Sequence, residues 1–357
     1  MKNNILIYLL LAMLFLPGLV HAQKFDLGRI NGADYMICIP DNWNGGLVMY
    51  AHGYEAVGED LPGFEKEVTD FMKIFTERGF AYAASGYKRQ GLVIKDGIED
   101  TEALRSYFER KYGKPDTSIV TGHSMGGMIS IATIEKYPAE YDGALPLCGW
   151  LAPVHSLMKY SLNMLATYDC LFGDNTGKIV TGEEMVEEKT IQRKLDQKSH
   201  LAALHAEHFG LPPGQLAQSI AFYQYVTKET AQWAGGLPAG NQETIYSGFG
   251  FRSDSLNKSI KRYSADPEAE EYFIEYCTPT GEISDPVVAM HTTSDWILPA
   301  KSYKYYEQMT HIKGTDHLYK QIYVSEDGHC NFTLQQTARA FEKLLDSIDK
   351  NKDPIQD

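Results

Sequence analysis

A serine flanked by glycines stands in Gly122-His123-Ser124-Met125-Gly126, and Gly127 follows it. Taken alone, Gly-x-Ser-x-Gly is a weak signal, because three fixed positions recur by chance. Its surroundings give it a mechanism. Residues 118–121 form an apolar run that reads as a strand, and 125–137 read as a helix ended by Pro138. Ser124 then occupies a sharp strand-to-helix turn that projects its hydroxyl from the edge of a sheet. Gly122 and Gly126 keep side chains out of that turn, and Gly127 permits close helix packing. The helix start places the Met125 N–H where the oxyanion of a tetrahedral intermediate would form. The competing reading is a glycine-rich turn with an incidental serine.

A hydroxyl becomes a useful nucleophile when a neighbouring base takes its proton. His329 is the candidate base: it ends the loop Glu326-Asp327-Gly328-His329, after the last expected strand and before the final helix. His311 and His317 precede that strand among polar residues and read as surface histidines. An imidazole in this role needs a carboxylate to hold its tautomer. Asp295 follows the apolar run 287–290, at the carboxyl end of a core strand, where such sheets place functional groups. Asp285 lies at the opposite end of the same strand, and Asp316 has no strand end to position it. A second oxyanion donor is expected after the first core strand, in His52-Gly53-Tyr54, from the Tyr54 N–H. His52 itself reads more readily as a packing residue than as a base. Tyr87, in Ser85-Gly86-Tyr87 at the end of the next strand, either lines the site or packs its loop.

These side chains need a frame, and the chain supplies alternating elements. Residues 23–39 suggest an edge hairpin turning at Asn31-Gly32. Strands are expected at 47–51, 80–84, 118–121, 144–147, 287–290 and 321–324, with helices at 64–78, 100–112, 125–137, 300–309 and 332–347. Short apolar strands between amphipathic helices indicate a mostly parallel sheet covered on both faces. Between Trp150 and Ser284 the pattern is helical without a convincing strand. Glu183–Phe209 is charged and stops at Gly210, a helix runs from Pro212 to Trp233, and another starts at Asp266-Pro267. About 130 residues of helix are therefore inserted between two core strands. The expected division is 23–150 and 285–357 as the core, with 151–284 as a helical cap. Asp174–Lys178 has neither calcium-loop nor phosphate-loop spacing and reads as a turn.

Bulk properties bound the rest. Lys2, an apolar run of about 16 residues and Val20-His21-Ala22 read as a secretory leader (1–22) cleaved after Ala22. An uncleaved anchor is the alternative, although the run is shorter than the ~20 residues that span a bilayer. A periplasmic or extracellular protein without stable membrane insertion is the expectation. The net charge is −14, one unit more negative once Lys2 is removed, which disfavours nucleic acid and anionic lipid as partners. Cys38, Cys148, Cys170, Cys277 and Cys330 show no zinc-type spacing, so no metal and no cofactor are expected. In an oxidising compartment they allow one or two disulfides and leave at least one thiol free.

Together, His52-Gly53, Gly122–Gly127, Asp295 followed by Pro299, and Gly328-His329 resemble the α/β-hydrolase superfamily over residues 47–151 and 285–345. The resemblance implies an eight-stranded, mostly parallel sheet flanked by helices. It also implies hydrolysis through an acyl-enzyme, with a cap or lid at the helical insertion. Within the superfamily the chain looks most similar to secreted esterases of the feruloyl-esterase and depolymerase type. Tannase-like feruloyl esterases bracket serine and histidine with two disulfide-linked cysteines. Here Cys330 follows His329, but His123 occupies the place before Ser124, and Cys148 at a strand end is an alternative partner. The expected reaction is cleavage of a small-molecule or polymer-linked ester, with a peptidase or a non-catalytic binding protein as alternatives. The insertion carries Trp150, Met158, Met164, Phe222, Tyr223, Tyr225, Trp233, Phe249 and Phe251. Trp150 and Trp233 are candidate substrate contacts, although most of these side chains should form the insertion's own core.

Overall fold

A computed structural model describes residues 23–60 and 63–352. The expected leader at 1–22 lies outside the described residues. Strands β1 (Gln23–Ile30) and β2 (Ala33–Pro40) form the edge hairpin. Its turn residues, Asn31 and Gly32, have φ of 52° and 93°, the left-handed conformation that a two-residue turn requires. Strands β3 (Gly46–Ala51), β4 (Ala81–Ser85), β5 (Thr117–His123), β6 (Gly143–Leu147), β7 (Val287–Ser294) and β8 (Tyr319–Asp327) complete one eight-stranded sheet. Its order is β1-β2-β4-β3-β5-β6-β7-β8. β1 and β2 pair antiparallel, β2 is antiparallel to β4, and every other neighbour is parallel.

The two-residue period of the strands sorts their side chains between two helical layers. Val48, Tyr82, Val288 and Met290 point to the face covered by α1 (Asp70–Thr76) and the last helix, through Phe75, Phe341 and Leu344. Leu47, Met49, Ala83 and Ala289 point the other way. There they meet Leu104 and Phe108 of α2 (Ile94–Tyr112) and Ile131 and Ile134 of α3 (Met125–Lys136). Between β6 and β7 the described residues contain seven α-helices and no strand. These are α4 (Val154–Phe172), α5 (Lys178–Thr181), α6 (Glu188–Asp196), α7 (Ser199–Phe209), α8 (Leu216–Ala234), α9 (Ser253–Ser259) and α10 (Pro267–Tyr276). They share a third apolar cluster that includes Met158, Met164, Tyr223 and Phe249 and reaches Met125 and Met128 of α3. Phe251 and Tyr225, by contrast, are exposed. Helices α11 (Tyr303–Lys313) and α12 (Leu334–Lys352) close the order.

Several boundaries differ from the periodicity for local reasons. The helix expected from Phe64 starts at Asp70, because the Thr69 hydroxyl caps it by accepting the Met72 N–H at 3.2 Å. α2 starts six residues before Asp100. Its first turns carry Asp96 and Asp100, whose charge obscures the apolar face in sequence, yet both are buried. Asp96 accepts from Arg89 at 2.8 Å and pairs with Lys88 at 3.0 Å, while Asp100 accepts the Lys88 N–H at 2.8 Å. The stretch expected as one helix from Glu183 divides into α6 and α7. β8 continues through Asp327, so most of the expected loop before His329 is strand.

Candidate active site

Ser124 occupies the turn between β5 and α3 with φ 57° and ψ −117°, a conformation costly for a residue with a side chain. Backbone hydrogen bonds hold it there. Its N–H donates to Leu147 O at 2.9 Å, and its carbonyl accepts from the N–H groups of Gly127 and Met128 at 2.9 and 3.2 Å. The glycines are required by close approach. A Cβ on Gly126 would run into the Ala51 carbonyl, and one on Gly127 would lie 2.9 Å from Leu147 O. Met125 begins α3, where the first N–H groups have no partner within the helix. On the facing loop, a Cβ on Gly53 would stand 3.3 Å from His123 O and 3.6 Å from Ser124 Cβ. The backbone leading to Tyr54 thus passes directly beside the serine.

The acid and base come together at the ends of β7 and β8. Asp295 is 2% exposed. Its Oδ1 accepts the N–H groups of Ile297 and Leu298 at 2.8 and 3.0 Å, and its Oδ2 lies 2.6 Å from His329 Nδ1. Burial works to raise the carboxyl's pKa. The hydrogen bond and charge of His329, with His291 and the Leu298 N–H, outweigh it and hold the pKa below the ordinary value. With Nδ1–H donated to Asp295, His329 Nε2 presents a lone pair, and that atom is buried without a hydrogen-bond partner. His329 also lies close enough to the elbow for its charge to act on His123. The loop is tied to β7 by the Gly328 N–H on Ser294 O at 2.7 Å and by the Thr292 hydroxyl on Gly328 O at 2.8 Å. A Cys148–Cys330 disulfide joins the residue after His329 to the end of β6 across 182 positions. Cys38, Cys170 and Cys277 are free thiols. His329, Cys148 and Cys330 also cluster as three potential metal ligands, but a disulfide leaves neither sulfur a thiolate to offer.

The other candidates are placed as follows. His311 is 79% exposed in its side chain and pairs with Asp316, away from the elbow. Ser124 and Met125 line a small cavity with Tyr54, Leu157, Phe222 and Tyr223. Its volume of about 30 Å³ admits little more than a water. Trp150 and Trp233 do not line it. Trp150 Nε1 donates to Ser156 at 3.1 Å, with its ring against Tyr160. Trp233 packs on Tyr272 and under the Arg89 guanidinium. His52 stacks on Tyr87 at 3.8 Å, and both line a separate cleft of about 960 Å³ on the α1 side, together with Tyr50 and His123. Leu157, Ile297 and Leu298 are cavity residues that sequence reasoning missed. Glu229 of α8 was missed as well; it does not line the cavity, but its carboxylate accepts the Tyr54 hydroxyl. The one available signal was an acidic residue in register with Phe222 and Val226 on an otherwise apolar face.

No known protein-family profile matches the chain. Over 91% of its length it is 22% identical to the o-phthalyl amidase of Xanthobacter agilis, of which the alignment covers 87%. An esterase/lipase structure from an uncultured bacterium superposes with a TM-score of 0.50 at 11% identity, over 92% of this chain and 85% of that one. The strand order, the single reversed strand β2 within the parallel series and this superposition agree. The chain has the α/β-hydrolase fold.

Within this hydrolase fold, two buried histidines, His205 and His291, and two half-buried ones, His52 and His123, have a consequence for stability. Burial pushes His52, His123 and His291 down to about 4, and His205 to about 3. Each folded pKa lies below the unfolded value of about 6.5, so unfolding takes up protons as the pH falls. Their stabilising contribution is complete above about pH 6.5 and is lost progressively towards pH 4. Glu55 works in the opposite sense, since burial and Glu59 raise it to about 7. Burial also raises Asp100, Glu102 and Glu135 by smaller shifts, while a lowered His208 adds to the histidine side. The melting temperature should therefore fall on acidification from pH 7 to pH 4.5. A flat profile would contradict the buried neutral state of these rings.

Proposed function

We propose that the protein is a serine hydrolase that cleaves a carboxylic ester through an acyl-enzyme. One observation carries this reading: Asp295 holds His329 Nδ1 at 2.6 Å and leaves Nε2 buried and unpartnered, in a fold that sets Ser124 on a strained strand-to-helix turn. In the proposed reaction Ser124 attacks the carbonyl carbon while His329 Nε2 accepts the hydroxyl proton. Asp295 holds the imidazole and stabilises its cation. The N–H groups of Met125 and Tyr54 receive the oxyanion. His329 returns the proton to the departing alcohol, and water then repeats the sequence on the acyl-serine to release the acid. The side chains around Ser124 are mostly apolar, which suits an apolar or aromatic acyl group. With so small a cavity, entry of that group requires α8 or the side chains facing Ser124 to move.

A second reading, amide hydrolysis, is favoured by the near full-length similarity to an enzyme named for amidase activity. The same groups serve both reactions, with His329 protonating an amine in place of an alcohol. Matched p-nitrophenyl esters, methyl hydroxycinnamates and anilides of the same acids separate the two. The ester reading expects higher kcat/KM on esters at every acyl group, and faster anilide turnover would replace it with the amidase reading.

Export is also part of the proposal, on the strength of the leader-like first 22 residues and a disulfide that an oxidising compartment would preserve. Among the described residues, no helix is long and apolar enough to cross a membrane.

A further inference from the structure

The proposed oxyanion donor on Tyr54 sits on the stretch that follows β3, and the core alone does not fix that stretch. Glu229 of α8 reaches it from the helical insertion. Glu229 is 7% exposed. One oxygen accepts the Tyr54 hydroxyl, and the other accepts the Val57 N–H at 3.1 Å. A carboxylate is acceptor-only and costly to bury unpaired. Here both oxygens are satisfied by donors three residues apart on a single loop. Two points of attachment set the loop's position and also its rotation, which one hydrogen bond would leave free.

Other ties of the loop run to the segment after β4, where the Tyr87 hydroxyl donates to His52 O at 3.3 Å and the Gln90 amide donates to Glu59 O at 2.8 Å. The Gly91 N–H donates to Glu55 O at 2.8 Å, and the Gly58 N–H donates to the Gln90 side chain at 2.9 Å. Both attach the middle of the loop to the segment after β4, and neither touches Tyr54. Phe222 and Val226 precede Glu229 by seven and three residues, so they share its face of α8, and both line the cavity at Ser124. Phe222 also meets the Tyr54 ring edge to face at 5.9 Å. The helix surface that covers the serine is thus the surface that holds the donor loop.

On the reading that Tyr54 supplies an oxyanion donor, we infer that Glu229 is a positioning residue for the oxyanion loop. Assembly of the oxyanion hole is thereby coupled to the seating of α8 on the core. Glu229 does not touch the reacting atoms. It aligns the Tyr54 N–H for the transition state, so its loss should appear in kcat more than in KM.

Glu229→Leu, which leaves the Tyr54 hydroxyl and the Val57 N–H without their acceptor, Tyr54→Phe and the double variant test this in the full-length protein. Tyr54→Phe removes only a hydroxyl, which keeps the test open if the Glu229 variant folds poorly. Each single change should lower kcat roughly tenfold to a hundredfold, less than outright loss of a donor. KM should change by less than about threefold. The double variant should be no slower than the worse single one, because both changes break one clamp. Wild-type kcat in both single variants, or losses confined to KM, would overturn the inference. Amide exchange of residues 53–58 judges the clamp independently of catalysis. Glu229→Leu should accelerate it, and unchanged protection would also overturn the inference. A wild-type protein without hydrolase activity would instead count against the serine assignment, and the exchange result would still decide on the clamp.

Discussion

Asp295→Asn should lower kcat on an activated ester by about four orders of magnitude while moving the melting temperature by only a few degrees. The two effects separate because the two carboxylate oxygens do different work. Oδ1 accepts the Ile297 and Leu298 N–H groups and shapes the turn after β7, a task the asparagine carbonyl can continue. Oδ2 accepts from His329 Nδ1 at 2.6 Å. An amide placed there donates a proton instead, which turns Nδ1 into the acceptor and moves the imidazole proton to Nε2. The base then faces Ser124 already protonated. The developing imidazolium also loses its buried counter-charge. A steady-state assay at pH 8, paired with a thermal melt, checks both halves. A near-normal rate would show that another carboxylate orients His329.

The features of this site that could be read in the sequence are those set by local structure. A serine between glycines, a strand before it and a helix after it lie within about twenty residues, and the apolar stretches 287–290 and 322–324 within β7 and β8 announce the strand ends that carry Asp295 and His329. What escaped depends on contacts between distant segments. The helical insertion has aromatic residues on many faces, and composition alone cannot say which of them turn toward Ser124. Phe222 does, whereas Trp233 lies under Arg89 and Trp150 on Tyr160. Nothing in the local sequence sets Glu229 apart from other charged helix residues, because its partners lie more than 170 positions away. The start of α2 was hidden for a related reason: buried Asp96 and Asp100 break the apolar pattern, and their partners lie outside the helix.

Removing the Cys148–Cys330 bond should cost both stability and rate. The bond closes a loop of 182 positions that spans the whole helical insertion. Chain entropy alone then assigns it roughly 5 kcal/mol, at the upper end of what native disulfides contribute. Both cysteines hold positive φ, 47° and 54°, at the end of β6 and directly after His329. Without the bond, the His329 loop keeps its ties to Thr292 and Ser294 and the Asp295–His329 hydrogen bond. The Cys148→Ala/Cys330→Ala variant should melt well below the parent. It should also lose kcat at temperatures where it is still folded, because His329 is less well aimed. Urea unfolding at neutral pH and kcat measured well below the transition give the two numbers. An unchanged midpoint together with an unchanged kcat would mean that the bond neither holds the fold nor positions the histidine.

The fold presents Ser124, the proposed nucleophile, between the core and the helical insertion. Covalent labelling with a fluorophosphonate probe tests that role most directly, because the probe needs an activated serine and no knowledge of the natural substrate. Intact-mass and peptide analysis should find one adduct, on Ser124, formed rapidly at pH 8 and absent from Ser124→Ala. No adduct on the folded wild-type protein, or an adduct that persists in Ser124→Ala, would contradict the account.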